Sequence, residues 1–416
     1  MKKEFFEKNR NKFFNLMKDN SALVLTSGVV YKATADNEFD FEVDRSFYYL
    51  TGINQDKVNF VLIKRNNKKE ELLFIEENDP DKVKWVGAKL YKDEAKDISG
   101  IKDIYYLSEF SKVFEILVKD LNTVYLSFEK DKRYTYNYSY QFSSLVKRNL
   151  GDKEYIDAYP MIVRLRSVKE KEEIELIQKS IDVTQKGIER LMIESHPGMY
   201  EYELESYFDF VLKTSGQRKV SFKTIAAGGS NASILHYTQN NSILNDNELV
   251  LFDLGTQTEL YISDISRTFP VNGKFTRRQK EVYEEVLNVN KKMIDFIHPG
   301  LTRIEYNNEA KKLLTDACYR LGLIKVDSDL INYYWHGVGH SIGLDVHDPA
   351  IYDEGIQNGA LMTVEPGLYI KEEGIGIRIE DNVIVTNTKA INLSKNIIKE
   401  VKDIEEFMAK NNKYNK

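Results

Sequence analysis

Three histidines fall within twelve positions, His336, His340 and His347 in WHGVGHSIGLDVHD, in a chain of 416 residues that has only six. Imidazole ligates divalent metals and moves protons near neutral pH, so this cluster points to a metal site or an acid–base site. The four-residue spacing of His336 and His340 would place two ligands on one helix face. Gly337, Gly339 and Gly343 argue against a helix there, and so against the helical zinc-protease motif. They are expected instead to let backbone approach a ligand closely. Acids recur in equally unusual settings. Asp253 interrupts the apolar run LVLFDLG, where an ionised carboxylate has to be paired or bound to a cation. Asp264 in YISDISRTF raises the same problem, with Arg267 as an ordinary ion-pair partner. Glu365 precedes a Pro-Gly turn in TVEPGLY, and Arg378 and Glu380 in GIGIRIEDNVIV are expected on one face of one strand. Singly, each acid also reads as a turn or strand-edge charge. With the histidine cluster, metal binding becomes the stronger reading. Cys318 is the only cysteine, which excludes an internal disulfide and a multi-cysteine zinc site, so a metal would need oxygen and imidazole ligands. Cys318 itself lies at helical spacing in KKLLTDACYRLGL and reads as a core thiol.

These side chains need a rigid frame. ELVLFDLG and TELYISDISRTFPV are β-rich runs on either side of Thr256 to Glu259, so Asp253 and Asp264 are expected to face each other across a hairpin. Thr276 with Gln279 should cap the next helix. Upstream, Ser167-Val168-Lys169-Glu170 reads as a capping box, followed by Ile174, Ile177, Ile181, Ile188 and Leu191 on one helical face. A domain boundary just before that helix divides the chain into residues 1–164 and 165–416. His196-Pro197-Gly198 and His298-Pro299-Gly300 each follow one helical pattern and lead into another, which suggests two related halves. Both histidines read as turn or cap residues rather than ligands. From Ala22 to about Tyr125, runs such as SALVLTSGVVY, FVLIKR, ELLFIEE and DIYYL alternate with charged, helix-like stretches, giving an α/β domain.

Composition narrows the function. A length of 416 residues exceeds what one core usually organises, so two domains are expected. The net charge of -6, with both signs mixed throughout, offers no basic stripe for phosphates and argues against a nucleic-acid partner. The basic start MKKEFFEKNRNKFFNLMKDN is broken by charges too often for a signal peptide and reads as an amphipathic helix. No stretch approaches the ~20 apolar residues of a membrane span. A cytoplasmic protein is the expectation.

From about Ser167 to Ile384 the sequence resembles the metallopeptidase family of methionine aminopeptidase, aminopeptidase P and prolidase, which share the pita-bread fold. The resemblance is carried by LHY at His236, FDLG at Asp253, SDISRTFPVNGKF at Asp264, HGVGHSIGLDVHD at His340, TVEPGLY at Glu365 and IRIEDN at Glu380. FEVDRSFYYLTGI, residues 41–53, resembles the N-terminal domain of the proline-specific members, which methionine aminopeptidases lack. The resemblance implies five metal ligands, Asp253, Asp264, His340, Glu365 and Glu380, with Asp264 and Glu380 bridging two ions. It implies Glu365 as proton acceptor, His236 and His347 as supports for the carbonyl oxygen, and His336 as a pocket residue. Arg378 would pair with the carboxylates or touch substrate. Four carboxylates carry -4, which two divalent cations balance, and a mostly hard oxygen set suits Mn²⁺, with Zn²⁺ or Co²⁺ as alternatives. The implied activity removes an N-terminal residue from peptides with proline second, in a homodimer or homotetramer. A prolidase restricted to dipeptides is the nearest alternative, and the absence of an added basic cluster near His347 or Arg378 disfavours it. A metal-free peptide-binding module of the same fold is more remote, because all five ligand positions are filled.

Overall fold

A computed structural model describes residues 1–129, 137–351 and 353–414, and divides the chain into two compact units, Met1–Arg166 and Ser167–Lys416. The first unit is built on a mixed sheet of six strands: β1 (Ser21–Thr26), β2 (Asn59–Arg65), β3 (Lys68–Ile75), β4 (Asp103–Tyr106), β5 (Thr123–Leu126) and β6 (Glu154–Asp157). Their spatial order is β4-β3-β2-β1-β5-β6. β1 runs antiparallel to β2 and parallel to β5, and every residue of it is buried, as a central strand covered on both faces requires. Val24, Val61, Phe74, Val124 and Leu126 pack in one core layer. The helix Lys3–Leu16 confirms the amphipathic reading of the N-terminus and buries Phe5, Phe6 and Phe13. It also buries Arg10, which donates to Glu71 at 3.0 Å and to Leu50 O at 2.9 Å. FEVDRSFYYLTGI forms the short helix Arg45–Thr51, capped by Asp44 accepting from Phe47 N–H at 2.8 Å.

The second unit combines an antiparallel trio with two small sheets. β7 (Ile225–Gly228), β8 (Leu249–Leu254) and β11 (Ile265–Pro270) lie in the order β11-β8-β7, with the hairpin β9 (Gln257–Thr258) and β10 (Tyr261–Ile262) inserted between β8 and β11. β12 (Leu361–Val364) pairs with β15 (Asp381–Ile384) and β15 with β16 (Ile391–Asn392). β13 (Gly367–Ile370) pairs with β14 (Ile375–Arg378). Two helix pairs accompany these strands, Lys171–Glu194 with Glu201–Thr214 and Arg277–Phe296 with Arg303–Arg320. Gly187 lets the first pair approach closely, since a Cβ there would run into the Phe208 ring. No helix among the described residues is long and apolar enough to cross a membrane.

Several local expectations are met. Thr276 and Gln279 cap the Arg277–Phe296 helix reciprocally, and Cys318 is buried in the Arg303–Arg320 helix. His196 and His298 are turn residues: each Nδ1 sits about one hydrogen bond from the carbonyl of the proline that follows, at 3.0 and 2.9 Å. Gly198 and Gly300 then take φ of 91° and 85°, and Glu203 and Glu305 cap the helices beyond. One start is displaced. The long helix begins at Lys171 rather than behind Ser167, and Lys169 N–H is engaged instead by Gly359 O at 2.9 Å. Glu173 closes the cap instead, accepting from Glu170 N–H at 2.8 Å.

Glu173 is buried, and burial pushes its pKa up to about 7 against the pull of nearby Lys169. The folded chain therefore holds a proton that the unfolded chain loses above about pH 4.5. Stability from this group is full below that pH and is lost as pH rises through about 7, by on the order of 3 kcal/mol. Glu173→Gln should therefore melt above the parent at pH 8 but not at pH 5; equal differences at both pH values in thermal melts would contradict this.

Candidate metal centre and active site

The acids stand at strand ends, where a carboxylate can leave an apolar layer. β8 pairs with β11 so that Asp253 lies opposite Ser266, and Asp264 precedes that ladder by one residue. The expected hairpin is thus present, but the two acids are not register partners. Their carboxyls nonetheless lie within hydrogen-bond reach. The glycine of FDLG is required by close approach, since a Cβ on Gly255 would strike Ser263 O. Glu259 and Leu260 close the inserted hairpin with φ of 47° and 70°, the left-handed pair that a two-residue turn of this hand needs.

Two segments far apart in sequence lock together around these acids. The Asn382 side chain holds Asp264 by its backbone, accepting from its N–H at 3.2 Å and donating to its carbonyl at 2.7 Å. Glu380 N–H donates to Ser266 O at 3.0 Å, and the Ser266 hydroxyl donates to Glu380 Oε2 at 2.8 Å. Arg267, expected as a partner for Asp264, instead donates to Asp381 at 2.8 Å and to Glu380 O at 2.6 Å. It is fully buried, and its guanidinium is used up on the side of β11 away from Asp264. Arg378 and Glu380 do not share one strand: β14 ends at Arg378, and Glu380 lies in the connection to β15. Both still face the site. Arg378 donates to Asp253 Oδ2 at 2.7 Å, Ser266 Oγ at 2.8 Å and Tyr369 OH at 3.1 Å.

The histidine segment is laid along β12. His340 N–H donates to Thr363 Oγ1 at 3.0 Å and Thr363 N–H to His340 O at 2.8 Å. A Cβ on Gly339 would collide with Thr363 O, and one on Gly343 would come within 2.7 Å of Asp348 Oδ2. Both positions are closed by protein packing, and Gly339, with Gly337, also lines the cavity that holds the site, as expected of backbone beside a ligand. His340 Nδ1 faces Ser341 O at 3.1 Å, so it carries the proton and Nε2 presents its lone pair. Nε2 lies 3.4 Å from Asp264 Oδ2 and 3.7 Å from Glu365 Oε1. His347 stacks on His340 with ring centroids 3.9 Å apart and planes 9° from parallel. His336 is held by Gly337 O at 2.7 Å and Tyr369 OH at 2.8 Å. Burial and the Arg378 charge push its pKa down to about 4, so it is neutral and its 4.0 Å approach to Glu365 is no ion pair.

Asp253, Asp264, Glu365, Glu380, His236, His336, His340, His347 and Arg378 all line one cavity of about 530 Å³. Asp264, His340 and Glu380 each offer a donor atom within 4.8 Å of the other two. Burial pushes the Asp264, Glu365 and Glu380 carboxyls upward, and neighbouring carboxylates add to the rise. Asp253 Oδ1 and Glu380 Oε1 are buried with no hydrogen-bond partner among the described residues. Orphaned carboxylate oxygens, crowded like charges and a lone pair on His340 Nε2 form a donor set that fits divalent cations.

Residues 175–387 match the model of metallopeptidase family M24, and residues 6–125 match that of the aminopeptidase P N-terminal domain. The chain belongs to metallopeptidase family M24. It therefore joins an aminopeptidase P-type N-terminal domain to the pita-bread domain of that family. The Xaa-Pro aminopeptidase of Haemophilus influenzae is 36% identical over 425 residues, covering 98% of this chain and 97% of its own. That of Escherichia coli is 32% identical, covering 97% of each. The solved structure of E. coli aminopeptidase P with the inhibitor Pro-Leu superposes with a TM-score of 0.90, at 32% identity and 98% coverage of both chains.

Sequence reasoning about this M24 chain passed over residues that hold the site from behind. Asn290 lies on the buried face of its helix and donates to Val364 O and Ile379 O, both at 3.1 Å, the carbonyls just before Glu365 and Glu380. An amide among Val282, Val286 and Met293 was a readable signal, because a buried polar group demands partners. Ser266 and Tyr369 lie within SDISRTFPVNGKF and TVEPGLY, but a hydroxyl gives no sign in sequence of the distant side chain it joins. Lys223 and Arg303 also line the cavity, two basic side chains beyond Arg378 that the motifs do not mark. Ser266→Ala removes the hydroxyl joining Arg378 to Glu380 and should weaken divalent-cation binding about 10- to 100-fold. Parent-like affinity in isothermal titration would refute that role.

Proposed function

We propose that this chain is an Xaa-Pro aminopeptidase that releases the N-terminal residue from peptides with proline second. The single observation carrying the reading is the convergence of four acids, His340 and two exposed histidines in one cavity of an M24 fold joined to an aminopeptidase P-type domain. In this proposal Asp253, Asp264, His340, Glu365 and Glu380, which line the same cavity, would hold two divalent cations. Mn²⁺ is the proposed ion because the set is mostly hard oxygen. A zinc-substituted E. coli aminopeptidase P has been solved, which supports tolerance for a second metal. Cations held there would lower the pKa of a water towards neutrality and polarise the scissile carbonyl.

The chain's own groups do the rest. Glu365, whose buried carboxyl is pushed upward, accepts the proton of the attacking water and returns it to the proline nitrogen. That return is needed because the tertiary amide has no N–H and its nitrogen must be protonated as the bond breaks. His236 and His347, both exposed in the cavity, direct N–H groups at the carbonyl oxygen as it gains charge. His336 is fixed as a neutral ring by Gly337 and Tyr369 and forms cavity wall. Arg378 is committed to Asp253 and Tyr369, so its role is to orient and partly neutralise the acids.

A prolidase needs to grip the free carboxylate on proline. Lys223 and Arg303 supply cations to the cavity, but both are exposed rather than walled in, which supports a site open to longer chains. Binding energy beyond proline can then position the scissile bond. Assayed with Mn²⁺, Xaa-Pro-Xaa tripeptides should show higher kcat/KM than matching Xaa-Pro dipeptides, and peptides without proline second should be poor. Glu380→Ala should abolish turnover with its metal content reduced, whereas His236→Ala should keep its metal and lose rate. Cleavage of dipeptides alone would make the protein a prolidase.

The proposal extends to a homo-oligomer in the cytoplasm. The Pro80–Val86 helix has no buried residue and exposes Trp85 and Val86 at 89% and 80%, an apolar pair that a second subunit would cover. Light scattering on active enzyme from the cytoplasmic fraction should give a dimer or tetramer mass; a fully active monomer would exclude the assembly.

A further inference from the structure

The segment that carries His340 and His347 contains almost no regular structure, yet one side chain ties it together. Asp348, directly after His347, is buried to 1% exposure and accepts from Lys169 Nζ at 2.8 Å. Its other oxygen accepts from Asp345 N–H at 3.2 Å, and its own N–H donates to Ser341 O at 2.9 Å. The loop from Ser341 to Asp348 is thereby closed on itself. Gly343 seals the arrangement, since a Cβ there would come within 2.7 Å of Asp348 Oδ2 and 2.8 Å of Lys169 Cε. Lys169 is itself anchored by its N–H to Gly359 O at 2.9 Å, and its side chain is only 1% exposed.

A buried ion pair is a poor device for stability alone, because two apolar side chains of similar volume often serve as well. Its value lies in fixing geometry, and the geometry fixed here is that of His347. The His347 ring is exposed in the cavity, stacked on His340, and its adjacent residue is pinned by three hydrogen bonds, two within the loop and one from Lys169. His340 is held separately, by the pair of hydrogen bonds to Thr363. We propose that Lys169, acting through Asp348, is a positioning residue for His347 and has no direct part in holding the metal ligands. The inference rests on the reading that His347 supports the carbonyl oxygen.

The test is a double-mutant cycle joining Lys169→Met to His347→Ala, with kcat and KM measured on an Xaa-Pro-Xaa tripeptide and Mn²⁺ affinity measured by titration. Lys169→Met alone should lower kcat about 10- to 100-fold, with KM and Mn²⁺ affinity changed less than about threefold. In the His347→Ala background the same substitution should change kcat by less than about threefold, because the group it positions is gone. An equal loss of kcat in both backgrounds, or parent kcat in Lys169→Met, overturns the inference. Parent kcat in His347→Ala alone overturns the reading of His347 instead, and with it the reason to position that ring. If Lys169→Met does not fold, Asp348→Asn takes its place in the same cycle and is judged by the same outcomes.

Discussion

Four carboxyl groups converge beside the buried imidazole of His340 in one cavity, and the repulsion among those acids is the constraint that the surrounding structure has to meet. Asp264, Glu365 and Glu380 are all pushed towards their neutral forms by burial, with other carboxylates of the set adding to the rise. One buried cation of the chain, Arg378, answers part of that charge by donating to Asp253. The remainder is left for ions from solution. A site that the chain can fully neutralise has no use for metal; one that it can barely hold together does not fold. This protein sits between those limits by holding the acids through their backbones rather than through their carboxylates.

That strategy recurs at three of the four acids, Asp253 being the one held by its carboxylate. Asp264 is clasped at its N–H and carbonyl by Asn382, Glu380 by Ser266 O and Arg267, and Glu365 by Val338 O, to which its N–H donates at 2.8 Å. The groups bound in this way are amides and carbonyls, so most carboxylate oxygens stay available. Behind them stands a second, balanced charge cluster. Burial would raise the Asp381 pKa, yet Arg267 and Lys399 hold it down at about 2. Lys399 also donates to Asn290 at 2.7 Å, and Asn290 clasps the carbonyls that precede both glutamates. The rear cluster is satisfied within the chain, whereas the front one is not. The difference separates scaffold from active site.

Much of this was legible from residue type and order. The apolar run LVLFDLG exposes its own exception at Asp253, and three histidines in twelve positions are hard to assign to a core. The α/β character of the first unit follows from β-branched and aromatic runs, and the caps at Thr276 and around the two His-Pro-Gly turns follow from local hydrogen-bonding chemistry that needs no distant partner. Local chemistry also misleads where a distant partner intervenes. Ser167 has the signature of a cap, but the neighbouring Lys169 is engaged by Gly359 and the helix starts later.

What the sequence by itself determined, then, is the set of residues with chemistry to perform and the periodicities that carry them. Tertiary structure decided their partners. Arg267 is three residues from Asp264 in sequence, yet it pairs with Asp381, because alternation along β11 turns it to the opposite side. Arg378 and Glu380 looked like one strand face, but the strand ends between them, and it is Ser266, more than a hundred positions away, that joins them. Sequence spacing reports which side chains share an element. Long-range pairing, which depends on how separate strands are brought into register, has no local signature.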